Sequence, residues 1–409
     1  MESHEDLSGD PLPGEPLQCE VLVVGAGPAG GELARQLAFH GRDVLLVDQL
    51  PDLRRAAFSS AALPSETLEQ FGLPAEVVAS RWRSWQLIGP GEERRSWSAA
   101  EPLGVVLDFA ALRLWLAEQC RHWGGRVALG LRALDCREEE GGLRTRLQAA
   151  GGGRLEVRSR WVVDASGQAR ALLGDPPPRG DWVSGRGVEW LLRVDPDRWR
   201  PWAEQLTFLL GSRWVRQGYG WVFPMAEPLL KLGVCRLDDP SRPGRLPSLG
   251  LDLAELLRRL ELEGAEVVDR HGGLIRSSIH RREAHGRGRL LGLGDAVSTA
   301  NLLGGEGIRH ALASSRVLAP LLLQESDPHR LRRRYEHQLR RRLGWRWPLS
   351  GRLARRTWLA LQDEAADRRL AALLRGLGER PAADLSALLF DYRFERYGLR
   401  ALPYLLGRR

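Results

Sequence analysis

Residues 21–30 read Val-Leu-Val-Val-Gly25-Ala26-Gly27-Pro28-Ala29-Gly30, an apolar run that ends on three spaced glycines. That spacing suits a phosphate-bearing ligand. Gly25 permits a tight turn, Gly27 lets a diphosphate approach bare backbone, and Gly30 lets a following helix pack against the strand. Ala26, Pro28 and Ala29 complete the loop and start the helix, whose free N–H groups and dipole attract phosphate. The pattern gains meaning from its place between an apolar strand and a helical stretch. Asp48 follows 23 residues after Gly25. A carboxylate there accepts a hydrogen bond from a ribose 2′-OH and repels a 2′-phosphate, which points to FAD or NAD and away from NADP.

Two later segments select FAD. Trp161-Val-Val-Asp164-Ala-Ser-Gly167 and Leu291-Gly-Leu-Gly294-Asp295-Ala296 each place an aspartate just after a strand. Ligands bind at that carboxyl edge of a sheet, and Asp295 is the candidate for ribityl hydroxyls. Asn301 and Gly305-Glu306-Gly307 come next and lead into a helix. Gly305 and Gly307 carry no side chain to block a flat ring, and the helix N-terminus stabilises negative charge on a reduced flavin.

A third segment, Tyr219-Gly-Trp221-Val-Phe223-Pro224, precedes Gly233-Val-Cys235. Residues two apart on a strand share a face, so Tyr219, Trp221 and Phe223 form one aromatic wall, with Pro224 ending the strand. The segment at 229–237 returns as its partner. Such a wall beside a flavin suits an apolar, unsaturated substrate. Cys235 is the candidate proton donor beside the wall, although a small buried hydrophobe is its simpler role. No catalytic residue is otherwise assigned, His310 included, and no metal ligand set is found.

These residues need elements to hold them. A βαβ opening is expected at 19–47, with a helix from Glu32 to His40. Residues 51–104 read as loop and short helix, and 110–123 as an amphipathic helix. Strands follow over 127–163, and 180–285 is strand-rich with one helix at 251–263. A strand at 290–293 leads to a helix at 307–324. Leu331, Tyr335, Leu339 and Leu343 mark a further helix, and another spans about 353–375. The expected division is a flexible tail at 1–17, a cofactor domain at 18–175 and 286–330, a substrate domain at 176–285 and a helical region at 331–409. The break between the first two domains falls at Asp175-Pro-Pro-Pro.

Composition sets the outer limits. The 409 residues are 43% hydrophobic and 27% charged, which excludes a disordered chain. Four cysteines without a Cys-x-x-Cys pair argue against a disulfide framework and fit a reducing compartment. The expected location is therefore cytoplasmic. The formal charge is +8, and Lys231 is the only lysine, so almost all the positive charge is arginine. This bias reads as coding preference, and no nucleic-acid partner is expected. The basic helices from 330 to 375, with Trp345, Trp347 and Trp358, suggest peripheral contact with an anionic membrane on its cytoplasmic side.

The Gly25–Gly30 loop, the Gly-Asp295-Ala segment and the Tyr-x-Trp-x-Phe-Pro run together resemble the geranylgeranyl reductase family of FAD-dependent oxidoreductases, within the hydroxylase-like flavoproteins. The resemblance covers roughly 18–330. It implies an α/β fold with a Rossmann-like FAD domain assembled from separated segments, an inserted mixed-sheet substrate domain and a helical C-terminal region. It implies reduction of prenyl double bonds by reduced flavin, with Tyr219, Trp221, Phe223, Pro224 and Gly233 lining the prenyl tunnel. NAD(P)H or a ferredoxin supplies the electrons, since no second dinucleotide motif is present. The chain departs from the family at Cys235, where a second glycine is usual, and at Leu302, where proline is usual. It also has Arg170 where serine is common, Phe109 where an FAD-touching arginine is common, and no cysteine at 57–61. The competing readings are a flavin monooxygenase, a lycopene-cyclase-like enzyme acting on a polyene, and a non-catalytic flavin- or prenyl-binding escort. Val297 stands where many hydroxylases carry histidine, and a flavin halogenase fits less well because its lysine has no counterpart before Lys231.

Overall fold

The computed structural model describes residues 16–57, 59–175, 182–238, 246–376 and 380–395. The expected tail up to residue 15, Phe58, and the Pro-Pro-Pro break at 176–178 lie outside the described residues. β1 (Leu17–Val24) starts inside the expected tail and buries its last four residues. α1 (Pro28–Phe39) places proline in its first turn, where the missing N–H costs nothing. β2 (Val44–Asp48) is buried along its whole length and pairs parallel with β1.

The segment read as loop and short helix contains five strands: β3 (Ala62–Pro64), β4 (Val78–Trp82), β5 (Ser84–Ile88), β6 (Arg94–Ser98) and β7 (Gly104–Leu107), with α2 (Glu66–Phe71) after β3. These strands are short, and β6 buries only Trp97 among exposed and half-buried arginines and serines. That leaves too little alternation to read from sequence. α3 (Phe109–His122) is capped by Asp108, whose carboxylate accepts from the Ala111 N–H at 3.0 Å. β8 (Arg126–Leu129), β9 (Leu131–Glu139), β10 (Gly142–Ala149) and β11 (Arg154–Asp164) follow.

The next stretch is strand-rich as expected: β12 (Trp182–Arg193), the short α4 (Pro196–Trp199), β13 (Gln205–Leu210), β14 (Gly218–Pro224), β15 (Leu229–Leu237), α5 (Leu249–Arg259) and β16 (Glu266–Ser278). The chain then returns through β17 (Gly286–Arg287) and β18 (Leu290–Gly292) to α6 (Ile308–Gln324). It closes with α7 (Pro328–Leu343), α8 (Arg346–Ala360), α9 (Glu364–Gly376) and α10 (Ala382–Leu389). The single helix expected at 353–375 is therefore two. The first ends at Ala360 with Leu361 as its C-cap, whose carbonyl accepts from the Gln217 N–H, and Asp363 caps the second by accepting from the Ala366 N–H at 2.9 Å.

The first sheet runs β17-β18-β11-β1-β2-β8, parallel from β18 to β8, with β10 and β9 added through β11. The carboxyl ends of β1, β2, β11 and β18 therefore lie side by side, where Gly25, Asp48, Asp164 and Gly294 follow. The second sheet runs β16-β12-β15-β14-β13-β5-β6. Residues 84–98 thus belong to the sheet of the substrate segment, although they precede it by about a hundred residues. Leu331, Tyr335 and Leu339 of α7 are fully buried in the first core. Trp347 and Trp358 of α8 are buried in the second, so of the three tryptophans expected to meet a membrane only Trp345, 64% exposed, faces outward.

Candidate active site

One cavity of about 700 Å³ joins the two sheets, running from Gly25 to Trp358. At one end lies the glycine loop. Gly25 has φ +109°, and a Cβ there would sit 2.4 Å from the Ala165 carbonyl oxygen. A Cβ at Gly30 would sit 1.9 Å from the Gly25 carbonyl oxygen, so Gly30 seats α1 on the loop without lining the cavity. A Cβ at Gly27 would meet no protein atom within 4 Å; its side opens to the cavity, as do Gly25, Pro28 and Ala29. The Ala26 N–H turns away and donates to Asp48 Oδ2 at 2.7 Å. Asp48 Oδ1 accepts from the Leu50 N–H at 2.9 Å. The carboxylate is thus fixed by two backbone donors while it lines the cavity with lone pairs to spare.

Arg113 is a site residue that the sequence reading missed. Phe109 stands at the position where the resemblance places an arginine. Both residues line the cavity, one turn apart on α3, with the guanidinium 5.9 Å from the Phe109 ring centroid. Arg113 donates to the carbonyls of Ala26 at 3.4 Å and Arg55 at 3.2 Å, and lies 3.9 Å from Asp48. Burial pulls its pKa down and Asp48 opposes that shift. The helical i, i+4 spacing from Phe109 was the signal that could have found it.

The other expected cofactor residues divide. Asp295, Gly167, Gly305 and Gly307 line the cavity. Asp295 is half-buried; desolvation raises its pKa, and it accepts from the Thr299 hydroxyl at 3.1 Å. α6 begins just after Gly307, with Ile308 also on the cavity wall, so its first-turn N–H groups lie at this surface. Asp164, Gly294 and Asn301 are corrected, since none of them lines the cavity. The carboxylate of Asp164 is spent on Ser166, Leu172 and Leu173, where it closes the turn after β11. Gly294 makes room for Ala29, whose Cβ a side chain would approach to 2.7 Å. Asn301 donates to Ser350 at 2.6 Å and accepts from the Leu303 N–H at 3.0 Å, pinning the loop before Gly305.

At the far end, Tyr219, Trp221 and Phe223 line the cavity together with Phe208, Trp358 and Cys235. Gly233 and Pro224 do not line it. Gly233 stands opposite Trp221, and a Cβ there would lie 2.1 Å from the indole. The bare glycine lets the indole lie across β15, where its Nε1–H donates to Glu189 of β12 at 2.8 Å. The Pro224 carbonyl accepts from the Ser80 hydroxyl at 2.7 Å and ties the strand end to β4. Cys235 stands opposite Tyr219. Burial pushes its thiol up to about 12 and the Tyr219 hydroxyl well above its ordinary value, so both stay neutral. His310 is a packed residue: its Nε2 lies 2.9 Å from the Tyr392 hydroxyl and 3.2 Å from Glu306. Burial alone would raise Glu306, but Arg309 and His310 outweigh it and hold the carboxylate at about 2.

A dinucleotide fits these residues. The bare backbone at Gly27, the helix start beside it and the tethered Asp48 carboxylate match a diphosphate and a ribose. The glycines at 305 and 307 leave a flat face for a ring system next to the aromatic wall.

Comparison with known proteins agrees. Residues 20–201 match the lycopene cyclase protein family. A digeranylgeranylglycerophospholipid reductase of Haloferax volcanii is 27% identical over 317 residues, covering 73% of this chain and 74% of that protein. The fold is that of a geranylgeranyl bacteriochlorophyll reductase-like protein of Thermoplasma acidophilum, with a TM-score of 0.76 at 21% identity over 95% of this chain and all of that one. A menaquinone reductase of Mycobacterium tuberculosis is 30% identical over 350 residues, which covers 82% of this chain and 83% of that protein. Identity at that level across both sheets leaves one conclusion: the chain belongs to the geranylgeranyl reductase family of FAD-dependent oxidoreductases.

Proposed function

We propose that the chain saturates carbon–carbon double bonds of an isoprenoid chain held against the Tyr219–Trp221–Phe223 wall. The observation that carries this reading is the single cavity joining a dinucleotide cradle to five aromatic rings. Bound FAD, once reduced, supplies a hydride. The chain's own residues do the rest. The loop from Gly25 to Ala29 receives the diphosphate, Asp48 the ribose, and Asp295 the ribityl hydroxyls. Tyr219, Trp221, Phe223, Phe208 and Trp358 exclude water and align an apolar chain. Glu189 fixes the Trp221 indole in that alignment. The printed names of the relatives, which include a geranylgeranyl diphosphate reductase of Oryza sativa subsp. japonica, support this substrate class.

The test is anaerobic. Chemically reduced holoprotein is mixed with geranylgeranyl diphosphate or a digeranylgeranyl lipid. The expected result is flavin reoxidation without oxygen and a product gaining two hydrogens per bond. Reoxidation only after oxygen enters points instead to a monooxygenase. Rearrangement of a polyene without net reoxidation points to the cyclase-like reading, which the family match at 20–201 favours over the others. The electrons come from NAD(P)H at a surface site or from a ferredoxin, and reduction rates with each donor separate the two.

The lipid substrate suggests a place for the enzyme on a membrane surface. No helix among the described residues is long and apolar enough to cross a membrane. Residues 330–356 hold 11 arginines and one acidic residue, Glu336. Arg333, Arg341, Arg342, Arg352 and Arg355 are exposed, and so is Trp345 between α7 and α8. A cationic surface with an interfacial tryptophan suits an anionic bilayer. The protein is expected to sediment with phosphatidylglycerol-containing vesicles at low salt and to stay in the supernatant at high salt. Sedimentation that is indifferent to salt, or none, counts against this placement.

A further inference from the structure

Directly paired residues of a sheet share a face, so the face that carries the aromatic wall divides into rows. One row runs Tyr219–Cys235–Gly187–Gly273, from β14 through β15 and β12 to the edge strand β16. Its side chains shrink along the way to none. Tyr219, Cys235 and Gly187 line the cavity, and so do Leu237, Gly185 and Ile275 of the next row. Two successive cavity-facing positions of β12 are thus bare.

Glycine in a strand interior weakens the strand and marks a bulge, a bend or a close approach by something else. β12 lies between β15 and β16, and both ladders run without a bulge from 185 to 191. Neither Gly185 nor Gly187 has a positive φ. The backbone therefore does not call for glycine here. At Gly185 part of the reason is packing, since a Cβ would come within 3.0 Å of Leu237. On the other side the face is closed. The Trp221 indole lies over Gly233 and is held by one oxygen of Glu189, whose other oxygen is buried with no hydrogen-bond partner among the described residues. Gly187 is left as the floor of a trough between Trp221 on one side and Leu237 and Ile275 on the other.

The trough begins at the flavin end of the cavity. A Cβ on Gly305 would lie 2.8 Å from the Tyr219 hydroxyl, so the row starts against the loop read as the flavin face. Neighbouring strands are about 4.8 Å apart, which puts Gly187, two strands on, roughly 10 Å from β14. Beyond it the cavity reaches Leu274 of the edge strand, 38% exposed. Arg186 and Arg236 border this end, but their guanidinium groups are engaged by Asp238 and Asp252. The trough therefore suits hydrocarbon and not a polar head group.

We propose that this trough receives the stretch of isoprenoid chain beyond the double bond being reduced, and that Gly187 sets how long a chain the enzyme accepts. This rests on the reading of the cavity as an isoprenoid-reducing site. A chain laid over bare backbone buries its apolar surface where a side chain would otherwise stand. Any side chain at 187 takes the same space.

The test compares geranyl, farnesyl and geranylgeranyl chains on one head group, diphosphate or glycerophospholipid, whichever the wild type reduces. The quantity read is the second-order rate constant for anaerobic reoxidation of the reduced holoprotein. In the wild type it is expected to rise roughly tenfold or more with each added isoprene unit. Gly187→Leu is expected to lower the geranylgeranyl-to-geranyl ratio roughly a hundredfold, through weaker binding of the long chain, with the flavin content of the wild type. Gly187→Ala should lower the ratio by a smaller factor, and it carries the test if the leucine variant does not fold. Wild-type constants that are flat across the three chains overturn the proposal without any variant. An equal loss on all three chains also overturns it, being the mark of a merely structural position. If the wild type saturates no isoprenoid, the functional reading itself fails, and this inference with it. If the wild type discriminates by length and the variants keep its ratio, only this inference fails.

Discussion

Gly27→Ala is expected to fold as stably as the wild type and to purify nearly colourless, whereas Gly30→Ala should lose both stability and flavin. The two glycines lie in one loop but meet different neighbours. The added methyl at Gly27 points into open cavity, and its backbone, at φ −76°, is one that alanine adopts freely. The methyl takes only the space that a diphosphate needs, so FAD retention should fall roughly tenfold or more, a loss of about 1.4 kcal/mol or above. At Gly30 the methyl meets a backbone oxygen at 1.9 Å. α1 must then move off the loop, at a cost of about 1–3 kcal/mol typical of overpacking. Thermal melts and the flavin-to-protein absorbance ratio separate the two outcomes. Full flavin in Gly27→Ala would place the diphosphate elsewhere.

Gly233→Ala is expected to spare the flavin and damage the chemistry. Its methyl would lie 2.1 Å from the Trp221 ring, so the indole must leave β15 and give up its bond to Glu189. Both Glu189 oxygens are then buried without a donor, which costs about 1–3 kcal/mol. The wall that aligns the substrate shifts by an ångström or more, and displacements of that size cost on the order of a hundredfold in rate. Single-turnover reoxidation by isoprenoid is the measurement. A wild-type rate in Gly233→Ala would remove Trp221 from substrate alignment.

The strongest features of the sequence were those set by local chemistry. The Gly25–Gly30 loop, Asp48 and the aromatic alternation at 219–223 depend on strand and helix periods that a sequence displays. Asp164 and Asn301 have the right types in the right motifs, yet their oxygens are consumed by nearby backbone N–H groups, and such local closure is not visible from spacing. Arg113 was hidden for the opposite reason. It reaches the cavity only because α3 turns that face toward the loop, one helical turn beyond the position where an arginine was sought. Cys235 and Gly187 become neighbours only through the pairing of β12 with β15, and sequence separation conceals such register. The strands at 62–107 were missed because they are three to five residues long, and β3, β4 and β6 bury only one or two side chains each, too few to display a period.

The distance along the chain between paired strands has a consequence for synthesis. β5 pairs with β13, so residues 84–88 wait for residues 205–209 before they gain a neighbour on that side. On the ribosome, a nascent chain that has reached residue 200 carries Trp85 and Trp97 on a two-stranded ribbon with no sheet to join. Isolated ribbons of two strands are marginal in water. Fragments that stop within this interval are expected to leave Trp85 and Trp97 without the sheet that buries them.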